Sequence, residues 1–90
     1  VSKTHHLKTD HDMFRAVIAG KKTCEIRFDD RGFKVGDTLI LKETLYTGEE
    51  MKGSESMPLI YTGYEHMTKI KHILRGPVYG LMEGWVILSI

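Results

Sequence analysis

Gly20-Lys21-Lys22-Thr23-Cys24-Glu25-Ile26-Arg27-Phe28 is the stretch on which the fold of this chain turns. Just before it, Met13, Phe14, Val17 and Ile18 recur at i, i+1, i+4 and i+5 and make one apolar helix face. Gly20 then supplies the C-terminal stop, because glycine takes positive φ without a Cβ penalty. After Lys22 the period changes to two, with Cys24, Ile26 and Phe28 on one side and Thr23, Glu25 and Arg27 on the other. That change predicts a helix of about two to three turns running into a half-buried strand whose apolar parity faces the core. On this parity the Cys24 thiol is an inward, inert group.

Upstream, Thr4 to Lys8 reads as a short strand, and Thr9-Asp10-His11-Asp12 as a helix start in which Thr9 or Asp10 caps and Asp12 completes a capping-box-like spacing. Downstream, Asp29-Asp30-Arg31-Gly32 is a turn by composition, and Thr38 to Tyr46 is a second strand with Leu39 and Leu41 on one parity. Residues 47–57 are polar, acidic and glycine-containing, which predicts an exposed, flexible loop. Pro58 to Tyr64 and Met67 to Leu74 are strand-like, Gly76-Pro77 breaks the pattern, and Trp85 to Ile90 is apolar enough to require a central position. The expected architecture is α+β: a small mixed β-barrel of about five strands with one early α-helix, residues 1–90 forming a single domain.

Ninety residues are few, so nearly every apolar side chain is needed for one core. One cysteine leaves no internal disulfide framework, and no apolar run approaches a membrane span; the expectation is a cytoplasmic protein without a membrane partner. Net charge is only +1, against a protein that coats nucleic acid by bulk electrostatics. The distribution is uneven: residues 1–37 carry eight Lys/Arg against six Asp/Glu, 38–65 two against five, and 66–90 three against one. If the two basic ends meet in the fold, they form a modest basic patch with the acidic middle turned away.

Lys22, Glu25 and Arg27 carry the chemistry of the opening stretch. Lys22 is a mobile positive charge at the mouth of the strand, Arg27 a planar fork able to grip phosphate or stack on a base, and Glu25 a carboxylate that orients Arg27 or accepts from a base edge. The structural alternative is that Glu25 and Arg27 simply pair with each other or across the sheet. Arg15, Lys21, Arg31 and Lys34 lie near enough in sequence to extend a phosphate-binding surface. Tyr61, Tyr64, Tyr79 and Trp85 are stacking candidates, Tyr79 for ligand contact and Trp85 for the core or a cleft floor. His5, His6, His11, His66 and His72 show no zinc-ligand spacing, and His5 and His6 alternate on a strand and so face opposite ways; no metal and no cofactor is expected.

Gly20-x-Lys22-x-x-Glu25-x-Arg27 resembles the G-x-K-x-x-E-x-R signature of the ASCH domain, a relative of the PUA β-barrel. The likeness extends through the preceding helix, Phe33-x-Val35-Gly36-Asp37 and the ending from Tyr79-Gly80-Leu81 to Ile90; apart from residues 47–65, the chain resembles a small, often phage-borne branch of ASCH-like proteins. It implies a cleft beside the helix and signature strand that binds RNA or a nucleotide, with Gly20, Lys22, Thr23, Glu25, Arg27, Arg31, Lys34 and Tyr79 as binding residues. Amidohydrolase relatives use a lysine at the position of Lys22 to activate a threonine two residues before that of Arg27. Here Glu25 occupies the threonine position and cannot be that nucleophile, so the sequence alone does not establish an enzyme. The alternatives are a hydrolase of modified nucleosides or RNA, with Lys22 and Glu25 catalytic, and a protein-interaction module using residues 47–57.

Overall fold

The computed structural model describes residues 1–90. It is an α+β fold of six strands and two helices: β1 (Thr4–Asp10), α1 (His11–Ile18), β2 (Cys24–Phe28), β3 (Thr38–Thr44), α2 (Gly48–Gly53), β4 (Tyr61–Lys69), β5 (His72–Arg75) and β6 (Trp85–Ser89). The strands make two three-stranded sheets, ordered β1-β3-β4 and β2-β6-β5. Only β1 and β3 run parallel; the other pairings are antiparallel.

The runs Pro58–Tyr64 and Met67–Leu74 are divided differently from the expectation: β4 joins Tyr61 to Lys69, and only the end of the second run forms β5, so that the run from Met67 to Leu74 is not one strand. It breaks at Ile70-Lys71, where Ile70 N–H donates to Asp37 O, just before β3 of the first sheet, and Lys71 N–H donates to Ser89 O in β6 of the second. The chain thus passes directly from one sheet to the other. At the opposite side, between β1 and β2, no backbone ladder joins the sheets. Arginine side chains cross this seam instead: Arg27 Nη2 donates to Lys8 O and Arg31 Nη1 to His6 O, both at 2.8 Å.

Leu7, Phe14, Val17, Phe33, Leu39, Leu41, Ile70, Val86 and Leu88 form the core between the sheets. β6 is the central strand of its sheet, as its apolarity requires. His5 is buried with its ring edge-on to Phe33, and its Nε2 meets Asp37 Oδ2 at 2.8 Å, while His6 is exposed.

Three local expectations are corrected. Residues 47–57 hold α2, closed by a full capping box in which Thr47 and Glu50 exchange side-chain to backbone bonds. Thr-x-x-Glu is itself the capping-box pattern, hidden by the polar composition. The start of α1 has no side-chain cap: Thr9 Oγ1 donates to Leu7 O, and Asp10 Oδ1 accepts from Gly48 N–H, tying α2 to α1. Gly20, at φ 74°, closes α1 as anticipated, with its own N–H donating to Val17 O and that of Lys21 to Ala16 O.

The third correction concerns β2. Its parity is inverted: Glu25 is 3% exposed, Ile26 57% and Phe28 53%, and Cys24 is only half-buried. The register gives the reason. Glu25 lies opposite Leu88 and Arg27 opposite Val86, both core residues, whereas Ile26 and Phe28 lie opposite Ile87 and Trp85 on the outer face. Trp85 is therefore neither core nor cleft floor; it sits half-buried outside, edge-on to Phe28 at 5.9 Å.

Candidate functional site

The inverted face of β2 opens onto the seam beside β1, where a cleft of about 300 Å³ is lined by Lys8, Thr9, Asp10, Met13, Lys22, Glu25, Ile26 and Arg27. Three elements build it. β1 contributes Lys8 and Thr9 and its last residue Asp10, α1 contributes Met13, and the turn after Gly20 delivers Lys22 to the start of β2. β2 is an edge strand, and on its core-facing side the polar side chains of Glu25 and Arg27 occupy what would otherwise be core.

Glu25 is the pivot. Lys22 Nζ donates to Glu25 Oε2 and to Cys24 O, and Arg27 Nη2 donates to Glu25 Oε1 at 3.0 Å. The carboxylate side chain is 4% exposed, yet the Lys22 and Arg27 side chains remain 23% and 25% exposed. A buried anion thus holds two cations at a solvent boundary, which fixes their positions while leaving donors for a ligand. With Lys8 the cleft carries three cations against the two carboxylates Asp10 and Glu25. Such a lining suits an anionic or strongly polar ligand.

Of the residues expected at the site, Lys22, Glu25 and Arg27 come together as the motif suggested. The pairing of Glu25 with Arg27, foreseen as the structural alternative, is present in the same arrangement. Gly20 acts one step back, as the α1 stop. Thr23 is exposed and outside the cleft lining, with its carbonyl accepting from Ile90 N–H. Arg31 is spent on the β1 edge farther along the seam, and Lys34, although exposed, is placed by its own N–H donating to Asp37 Oδ2. Tyr79, 92% exposed with φ 49°, caps the narrow turn between Val78 and Leu81 and does not line the cleft. Sequence reasoning missed Lys8, Thr9, Asp10 and Met13, since only the β1/β2 seam brings them to the motif.

A second buried carboxylate lies on the other side of α1. Glu43, 2% exposed, accepts from Arg15 Nε at 2.7 Å, Arg15 Nη2 at 3.2 Å and Thr62 Oγ1 at 2.7 Å. The Arg15 bonds hold its carboxyl below the usual range, against the opposing effect of burial. His11, Arg15, Thr44, Leu45 and Thr62 complete a second cleft around it, and Tyr64 stacks under the Arg15 guanidinium at 5.2 Å. Glu43 shares the inward parity of Leu39 and Leu41, a signal visible in the sequence but not used. Asp37 is a third fixed acid: the Lys3 backbone N–H first, and then His5, draw its pKa down to about 2.

Comparison with known proteins relates the chain to a family and to a phage protein. A family model described as a domain of unknown function, DUF3850, matches residues 4–90. An uncharacterised 12.9 kDa protein in the GpA 3′ region of Escherichia phage P2 is 38% identical over 55 residues, 58% of this chain and 50% of that protein. The chain thus spans about half the length of the curated relative it matches.

Proposed function

We propose that this chain, which belongs to the DUF3850 family, is a small RNA- or nucleotide-binding module of the ASCH/PUA-like kind, and that its ligand enters the β1/β2 cleft. One observation carries the reading: a buried Glu25 clamps Lys22 and Arg27 with a quarter of each side chain still open to the cleft. Arg27 spends Nη2 on Glu25 and Lys8 O, which leaves the Nε and Nη1 donors of its five N–H groups for a phosphate or a base edge. A core closed by a chain crossover on one side and by arginine bridges on the other supports the barrel-like part of the reading, with the seam as the place where strand closure gives way to a ligand site.

A hydrolase of modified nucleosides or RNA is the second reading. The contact of Lys22 with Glu25 favours it, because a cation beside a carboxylate could serve charge stabilisation and proton transfer in a phosphodiester or amide cleavage. Thr23 offers no nucleophile to it, lying outside the cleft, and Thr9 Oγ1 is committed to Leu7 O.

Both readings meet one experiment: titration of the protein with short single-stranded RNAs and a nucleoside panel that includes acetylcytidine, following backbone amide shifts and product together. The binding module predicts shifts at Lys8 to Met13 and Lys22 to Arg27, a salt-dependent affinity and its loss in Arg27→Ala, without product. Product lost in Lys22→Ala supports the hydrolase. No shift with any RNA or nucleoside refutes both.

A further inference from the structure

The first sheet has two open edges, and the molecule treats them differently. Along β1 the outward carbonyls of His6 and Lys8 are taken by Arg31 and Arg27, so that edge is closed to another strand. The other edge is β4, nine residues long, without proline, with Tyr61 to Glu65, Met67 and Lys69 exposed. Nothing comparable blunts it.

The direction of its free backbone groups follows from two hydrogen bonds. Thr38 N–H points toward β1, donating to Lys3 O, and Ile70 N–H points toward β3, donating to Asp37 O. With Thr38 opposite Lys69 and Leu39 opposite Thr68, strand alternation turns the N–H and C=O of His66 and Thr68 to β3. Those of Glu65, Met67 and Lys69 therefore face the open edge. The ladder is regular over this segment; its irregularity falls earlier, opposite Lys42 to Thr44, near Gly63 at φ 97°.

We propose that β4 pairs antiparallel with β4 of a second copy of this chain, about a twofold axis at Met67. The two three-stranded sheets then become one continuous sheet. Charge selects the register. An axis at Glu65 sets that carboxylate against itself, an axis at Lys69 does the same with two ammonium groups, and Glu65 opposite Met67 leaves Lys69 opposite Gly63. Only the axis at Met67 places Glu65 against the partner's Lys69 on both sides of the symmetry element, with the two Met67 side chains adjacent between them. Met67, 68% exposed in the single chain, is covered by this pairing, and about six backbone hydrogen bonds form from the three outward-facing residues. The regular part of the strand, 65–69, is itself centred on Met67.

The test is charge reversal read by analytical ultracentrifugation of the full chain, with circular dichroism as the check on folding. The parent self-associates into a dimer. Glu65→Lys and Lys69→Glu each bring like charges together in their own dimers and self-associate at least about tenfold more weakly. Mixed in equal amounts the two variants pair with each other, since every position across the axis is then Lys against Glu. This restored pairing separates a lost interface from a damaged fold. A parent that stays monomeric to about 1 mM overturns the proposal, as do dimers indifferent to either reversal or variants that fail to pair on mixing.

Discussion

Replacing Glu25 by Gln removes the one anion that two cations share inside the cleft. Each charge-assisted hydrogen bond contributes about 1.5–3 kcal/mol, so two set an upper range of about 3–6 kcal/mol. Two features lower it. Water can resolvate Lys22 and Arg27, whose side chains are 23% and 25% exposed, and the amide oxygen of glutamine keeps an acceptor for one of them. The expected loss is therefore about 2–3 kcal/mol, and at about 4–8 °C per kcal/mol for a domain of this size the melting temperature falls by roughly 8–24 °C. Urea unfolding should show the same loss as a lower midpoint with an unchanged slope. A variant within about 0.5 kcal/mol of the parent refutes the argument, because that is the cost of an ordinary surface change and not of a buried shared carboxylate. The result also sets conditions for functional work: binding to the Glu25→Gln protein has to be measured well below its own melting temperature.

Acid should destabilise the fold through Asp37. Its carboxyl is drawn from 3.8 down to about 2 in the folded chain, so its contribution is fully present above pH 4 and is lost as pH falls through about 2; Asp37→Asn should flatten the melting curve against pH in that window, and an unchanged slope contradicts the Lys3 and His5 bonds. Arg15→Met should destabilise more than Glu43→Met in urea, although Arg15 is the exposed partner, because it strands a carboxylate that is 2% exposed, whereas a freed Arg15 is simply hydrated; equal costs would place Glu43 in water. Gly76→Ala should cost about 1–3 kcal/mol by thermal melting, since its Cβ would lie 2.1 Å from Met82 O and 2.8 Å from Leu81 O, while Gly53→Ala, with nothing within 4 Å, should stay within about 0.5 kcal/mol.

The helix stop at Gly20, the buried pair Leu39 and Leu41 and the central β6 were legible because period and composition report burial along one element. The facing of β2 was not. Alternation separates two faces of a strand but does not say which is inside, and the apolar set Cys24, Ile26 and Phe28 invites the ordinary assignment. What overrides it is the pairing with β6, whose Val86 and Leu88 fix the core side and leave Glu25 and Arg27 on it. The break at Ile70-Lys71 was hidden for a related reason: no glycine or proline interrupts Met67 to Leu74, and only partners distant in sequence, Asp37 and Ser89, show that two sheets share the run. Lys8 and Thr9 were unreadable as cleft residues because the seam that recruits them is a relation between strands, not a property of either.

The misread face and the cleft have a common cause. A carboxylate and a guanidinium on the core side of a strand cost stability unless something satisfies them, and here each satisfies the other while Arg27 also closes the β1 edge at Lys8 O. Lys22 completes the arrangement from the turn that Gly20 makes possible. Arg27 therefore both bridges the seam and lines the cleft, held in place by Glu25, which Lys22 also contacts. A ligand that engaged Nη2 of Arg27 would have to release the β1 edge, whereas one that approached through Nε and Nη1 would leave the seam intact. The geometry thus favours a ligand group that docks onto the outer side of the guanidinium, a preference set by the fold before any chemistry takes place.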